Sequence, residues 1–183
     1  MPEVLDAAKA FMSRQSVDSW ELFFTVSRSF RVEVKESIVD SLQRSSLKGL
    51  SVRIIKDGKS GFSFCSSSDP YDVEKTIENA VEMASVMPTD DSASFTSGNM
   101  VYTRNHGLFD EMLVAIPEKD KINIARTIEK EAYASDKRIS IARSSGYIDS
   151  VTESRLMNSE GLDVADRCGI CSAWVELMAE ESG

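Results

Sequence analysis

Histidine is almost missing from this chain: His106 stands alone in 183 residues. A metallopeptidase helix of the His-Glu-x-x-His kind needs two histidines one turn apart with a glutamate between them. No self-contained site of that type can therefore be assembled here. Cysteine is scarce and odd in number (Cys65, Cys168, Cys171), which argues against a disulfide framework and agrees with a reducing compartment. No apolar run approaches the roughly 20 residues of a membrane span, and residues 1–15 lack a basic start followed by an apolar signal core. The expectation is a cytoplasmic protein with no membrane contact. Positive charge is also short, with a net of −9. Residues 28–59 are the exception, carrying eight Lys/Arg against four acids, which leaves −13 for the remainder. Nucleic acid is not an expected partner, since phosphate binding calls for a dense basic patch on a basic domain.

What is present reads as an ordinary globular chain, 42% hydrophobic and 28% charged, long enough to bury a core without disulfides. Val4, Leu5, Ala8, Phe11 and Met12 recur at helical spacing over residues 2–15. From Trp20 the period becomes two. Trp20, Leu22, Phe24 and Val26 predict one strand, Phe30, Val32 and Val34 a second, and residues 36–48 a weaker strand leading onward. Asp69 and Pro70 form a cap and first turn for a helix reaching about Met87, with Val73, Ile77, Ala80, Val81 and Ala84 as its buried stripe and Pro88 as its end. Residues 88–107 are polar and aperiodic, and are expected to be a mobile loop. A further helix from Pro117 to about Ser135 should bury Ile122, Ala125, Ile128 and Ala132. Strands follow from Ile139, turn at Asn158-Ser159-Glu160-Gly161, and run on to Met178. Strands grouped in runs predict an α+β fold: a mainly antiparallel β-sheet packed with about three helices.

The stretch Gly49–Phe64 is a hairpin around Asp57-Gly58. A two-residue loop would set Ile54 against Gly61 and split the apolar residues between faces. A three-residue loop, Lys56-Asp57-Gly58, sets Val52 against Phe62 and Leu50 against Phe64 and keeps one face apolar. The second is the expected register, and it places Arg53 across from Gly61. An arginine opposite a residue without a side chain leaves room for a backbone or carboxylate, which a guanidinium can grip with two hydrogen bonds. Arg53 and Gly61 are therefore the candidate substrate- or domain-contact residues.

Other motifs carry no chemistry. Cys168 and Cys171 have CxxC spacing but no second pair and no following helix, and positions three apart on a strand face opposite ways. Gly58 and Gly61 lead into a strand, where a phosphate cradle would need a helix N-terminus. Asp90-Asp91 and Glu180-Glu181 are adjacent acids without an assignable partner base. No catalytic and no metal-ligating residue is assigned.

Gly49-Leu50-Ser51-Val52-Arg53, Asp57-Gly58-Lys59-Ser60-Gly61-Phe62, the serine-rich step into Asp69 and Glu78-Asn79-Ala80 together resemble the TldD/PmbA family, first named modulators of DNA gyrase. Ser135-Asp136-Lys137-Arg138-Ile139, Asn158-Ser159-Glu160-Gly161-Leu162 and Ala179-Glu180-Glu181-Ser182-Gly183 extend the resemblance, which is closer to the PmbA (TldE) branch. The resemblance implies that residues 1–183 form a single N-terminal domain of a longer two-domain protein whose C-terminal domain lies outside this chain. It also implies a zinc metallopeptidase assembly that processes peptides, with a TldD-like subunit or a second copy as partner. No residue matches the family's His-Glu-x-x-x-His motif, so no cofactor is expected in this chain and zinc would belong to the partner subunit or the missing domain. The alternative reading is a stand-alone α+β interaction domain without a peptidase role.

Overall fold

The computed structural model describes residues 2–98 and 107–180. Its elements are α1 (Pro2–Met12), β1 (Ser19–Lys35), β2 (Ile38–Lys56), β3 (Lys59–Cys65), α2 (Pro70–Val86), α3 (Glu111–Ala115), α4 (Glu118–Ser135), β4 (Ile139–Asn158) and β5 (Asp163–Ala179). Among the described residues the five strands form one sheet in the order β3-β2-β1-β4-β5, giving the expected α+β fold with a mainly antiparallel sheet. Three of the helices are long and one, α3, is a single short stretch that the sequence reading did not anticipate.

The two strands expected over residues 20–35 are one. Apolar residues hold the same even-numbered phase on both sides of Arg28, so a single pleated strand satisfies both runs without a turn. The weak pattern over residues 36–48 likewise belongs to the long strand β2, which runs without a break into the first arm of the hairpin.

The chain groups into two compact units, and the long strands β1, β2, β4 and β5 contribute to both. The first is Met1–Val26, Leu47–His106 and Glu153–Arg167. Its core joins Leu5, Ala8 and Met12 of α1, Leu22 and Phe24 of β1, Leu50, Val52 and Ile54 of β2, and Val73, Ile77, Ala80 and Ala84 of α2. Each fully buried aliphatic or aromatic side chain in such a core contributes roughly 1.5–3 kcal/mol. Helix α2 starts as the sequence requires: the Tyr71 N–H donates to Asp69 Oδ1 at 2.9 Å and Pro70 occupies the first turn. Its stripe is the expected one, with Thr76 added and Val81 only partly buried.

The second unit is Ser27–Ser46, Gly107–Thr152 and Cys168–Gly183. Phe30, Val32, Val34, Tyr147 and Ala125 form a buried apolar cluster in it, with Val39, Leu42, Ile122 and Ile124 packed around them. Here the expected stripe of α4 is displaced. Ala125 and Ala132 are buried as predicted, but the other buried positions are Lys121 and Glu129, while Ile122 and Ile128 are only half-buried. Charged residues take those places because each finds a partner of complementary charge or polarity, described below.

The hairpin register is the two-residue one. Lys56 pairs with Lys59, Ile54 with Gly61, Arg53 with Phe62, Val52 with Ser63 and Leu50 with Cys65. Asp57 and Gly58 both take left-handed backbone angles, φ +52° and +69°, so the loop has the turn whose twist matches the flanking strands. The expected pairing of Val52 with Phe62 is therefore wrong, and so is the pairing of Arg53 with Gly61. The reason lies in α2. A Cβ built on Gly61 would fall 2.0 Å from the Ala80 carbonyl oxygen and 2.9 Å from the Ala84 nitrogen, so only glycine can stand beneath the helix at this point. Turning Phe62 and Phe64 onto that face would push α2 away. They lie instead on the other face, 50% and 68% exposed, with ring centroids 6.1 Å apart.

Candidate functional site

The two candidate residues point to opposite faces of the hairpin, yet they border one cavity. It has a volume of about 590 Å³ and is lined by Arg53, Ile55, Ser60 and Phe62 from one face, Ile54 and Gly61 from the other, Met83 and Met87 of α2, and residues of the segment 90–95 that follows α2. Residues from both faces of β3 can border the same space only along the strand's outer edge, because β2 occupies the inner one. The cavity is therefore a groove along the edge of the sheet.

Its second wall is held down by specific contacts. Thr89 bridges to Lys59, the Asp90 N–H donates to the Gly58 carbonyl at 2.8 Å, and Asn158 Nδ2 donates to the Thr96 carbonyl at 2.9 Å. The Gly98 N–H reaches the Glu160 carbonyl at 2.9 Å. Asn158, buried at 6% exposure, also accepts the Glu160 and Leu162 N–H groups at 3.0 Å, closing the turn that the sequence placed at residues 158–161. These ties cover residues 88–98 of the loop expected over 88–107. Residues 99–106, His106 included, lie outside the described residues.

Arg53 already has a carboxylate. Its Nη1 donates to Glu21 Oε1 at 3.0 Å, and the guanidinium carbon stands 5.3 Å from the centroid of the Phe95 ring. Asp90 is the groove's other charge. The Ser92 hydroxyl, at 2.6 Å, and the Ser92 N–H, at 2.9 Å, hold its carboxyl below the usual range. Among the described residues no cation pairs with it.

The second unit contains polar residues that the sequence reading missed. Lys121 and Asp149 form an ion pair with side chains only 9% and 10% exposed, and the ammonium also lies 5.2 Å from the Phe30 ring centroid and 6.0 Å from that of Tyr147. Burial first, and then the Asp149 charge, push the Tyr147 hydroxyl up from its ordinary value. Glu129, 1% exposed, accepts the Glu36 and Ser37 N–H groups at 2.8 and 2.7 Å, and so fixes the β1–β2 turn, where both residues have positive φ. Trp174 lies across Gly146, where an added Cβ would meet the indole at 2.2 Å, and stacks on the Arg31 guanidinium at 4.7 Å. The signal for the buried charges was their spacing: Lys121 and Glu129 fall four residues either side of Ala125, on the line that a small residue marks as closely packed.

Cys168 and Cys171 are free thiols in β5 and Cys65 is a free thiol in β3. Among the described residues no three His, Cys, Asp or Glu side chains gather as metal ligands would. No helix among them is long and apolar enough to cross a membrane.

Known proteins resemble this chain in sequence and in fold. The family model described as PmbA/TldA metallopeptidase domain 1 matches residues 20–84, and that described as PmbA/TldA metallopeptidase central domain matches residues 113–183. An uncharacterised protein of Methanocaldococcus jannaschii is 28% identical over 158 residues, which make up 86% of this chain and 35% of that protein. Among solved structures, a candidate modulator of a DNA gyrase from Thermotoga maritima superposes with a TM-score of 0.84 at 21% identity, covering 100% of this chain and 40% of its own. TldE from Thermococcus kodakarensis gives a TM-score of 0.81 at 21% identity, covering 99% and 39%. A candidate modulator of DNA gyrase from Bacteroides thetaiotaomicron gives 0.85 at 19% identity, covering 100% and 42%. The chain thus spans less than half the length of each of these relatives. With two of the family's models matched in order along it and the fold shared throughout its length, the chain belongs to the PmbA/TldD family of metallopeptidase-like proteins.

Proposed function

We propose that this chain is the structural and substrate-presenting part of a cytoplasmic PmbA/TldD-type metallopeptidase assembly that processes peptides, on the PmbA (TldE) side of the family. The observation that carries this reading is the ordered match to the family's first and central domains. The family's zinc does not fit the residues present: the chain has one histidine and no His-Glu-x-x-x-His sequence, so no step through a metal is assigned to it. Zinc chemistry belongs, on this reading, to a TldD-like subunit or to a further domain, and the chain contributes a groove walled by Arg53, Phe62 and Phe95. The partner is a TldD-like subunit or a second copy, and no nucleic acid is involved.

The test is co-expression of the whole gene product with a TldD-like subunit. A stable complex that contains zinc and cleaves peptides is the expected result, with kcat/KM lowered by Arg53→Ala. Failure to associate, or unchanged cleavage by a correctly folded Arg53→Ala complex, would overturn the proposal. A stand-alone interaction domain is the second reading, favoured by one observation: β3 is an edge strand whose outer side is bridged only at Lys59 among the described residues. Association with an unrelated protein and not with a TldD-like subunit would select it.

A further inference from the structure

The groove has a wall that the sequence did not reveal, the backbone of β3 itself. The two-residue turn bonds Lys56 to Lys59, and hydrogen-bonded pairs alternate from there through Ile54–Gly61 and Val52–Ser63. The N–H and C=O groups of Phe62 and Phe64 consequently point outward, away from β2. Among the described residues no strand meets them. Beside this open edge stand the Phe62 ring and the thioethers of Met83 and Met87, which are 46% and 42% exposed. Methionine is flexible and polarisable enough to pack against apolar side chains of differing shape.

We propose that the outer edge of β3 accepts an extended peptide as an added strand, apolar at alternate residues and basic at the end beside the hairpin turn, with an apolar side chain entering the groove between Phe62, Met83 and Met87. Three features specify that occupant. Unpaired backbone donors and acceptors in register call for another backbone, not for a compact ligand. The surface is concave along the edge, so a second copy presenting the same concavity would leave the space unfilled, whereas a single strand with its side chains fills it. Charge selects the end beside the hairpin turn: Arg53 is engaged by Glu21, while Asp90 pairs with no cation among the described residues. The inference deepens the substrate-presenting reading and rests on it only for the origin of the peptide. Binding is measured without a peptidase, so failure of cleavage leaves it standing and failure of binding leaves the assembly reading untouched.

The probe is a blocked heptapeptide alternating leucine with threonine between terminal lysines, titrated into the chain by fluorescence anisotropy. Two further versions carry N-methyl groups on alternate backbone nitrogens, one set for each edge of the peptide. Pairing on one edge predicts that one methylated series binds about tenfold more weakly or worse, through two or so lost hydrogen bonds, while the other binds like the parent. Phe62→Pro removes an N–H that β2 does not use and should abolish binding. Asp90→Asn should weaken it and reduce its dependence on salt. Absence of saturable binding, equal behaviour of the two methylated series, or a dimer that Phe62→Pro dissolves would each overturn the proposal. The peptide series needs only the wild-type protein, so it decides the matter even if a variant misfolds.

Discussion

Replacing Lys121 by methionine would test the account of the second unit most directly. Its side chain and that of Asp149 are nine-tenths buried and in ion-pair contact. Methionine fills similar volume but leaves the carboxylate without its counter-ion in a site that water barely reaches. Breaking a buried pair from one side costs about 3–5 kcal/mol, because the remaining charge keeps its desolvation penalty and loses its attraction. For a chain of this size that corresponds to a fall in Tm of roughly 6–20 °C. Asp149→Leu should fall at the lower end of the same range, since the stranded ammonium still faces the Phe30 and Tyr147 rings, a contact worth about 0.5–2 kcal/mol. The double variant removes both charges and should lie within about 1 kcal/mol of wild type, or above it. Urea unfolding followed both by tryptophan fluorescence and by circular dichroism measures all four proteins, and coincident transitions establish that a two-state analysis applies. A loss below about 1 kcal/mol for Lys121→Met, or a double variant as unstable as the worse single one, would refute the reasoning.

Three further outcomes are expected. Gly61→Ala should lower stability by about 1–3 kcal/mol or more in urea unfolding, because the new methyl would overlap the α2 backbone at Ala80, which cannot rotate aside as a side chain would. Glu129→Gln keeps the shape but turns an amide toward the Glu36 or Ser37 N–H, and should lose about 1.5–3 kcal/mol, with faster hydrogen exchange at the β1–β2 turn. The raised pKa of Tyr147 means that the folded state favours the protonated hydroxyl. Its contribution is fully present below the ordinary tyrosine value of about 10 and is lost as pH rises above it, so Tyr147→Phe should flatten the alkaline fall in stability seen for wild type.

Much of the fold was legible in local chemistry. Asp69-Pro70 starts α2 and Pro88 follows its end because capping and the loss of an N–H are local effects. The turn at residues 158–161 formed where Asn158 could bond its own following backbone. Even the unity of β1 was written in the unchanged parity of its apolar residues, although the two runs were expected as two strands. The candidate site was legible only in part: Arg53 and Gly61 do border one groove, but across an edge and not across a pair.

The hairpin and α4 mark where sequence reasoning reached its limit. Alternation alone favours a register that gathers every apolar side chain on one face. That criterion has no knowledge of a helix needing to approach within contact of the strand, which places Gly61 inward and leaves Phe62 and Phe64 outside. In α4 the expected stripe left out Lys121 and Glu129, which are buried because the fold supplied Asp149 to one and a tight turn to the other. Composition and spacing by themselves determined the three long helices, the cap of α2, the presence of the hairpin and the absence of a self-contained two-histidine site. Tertiary structure decided which glycine lies under a helix, which charges are buried and which strand edge is left unpaired among the described residues, because each depends on what a distant part of the chain brings into contact.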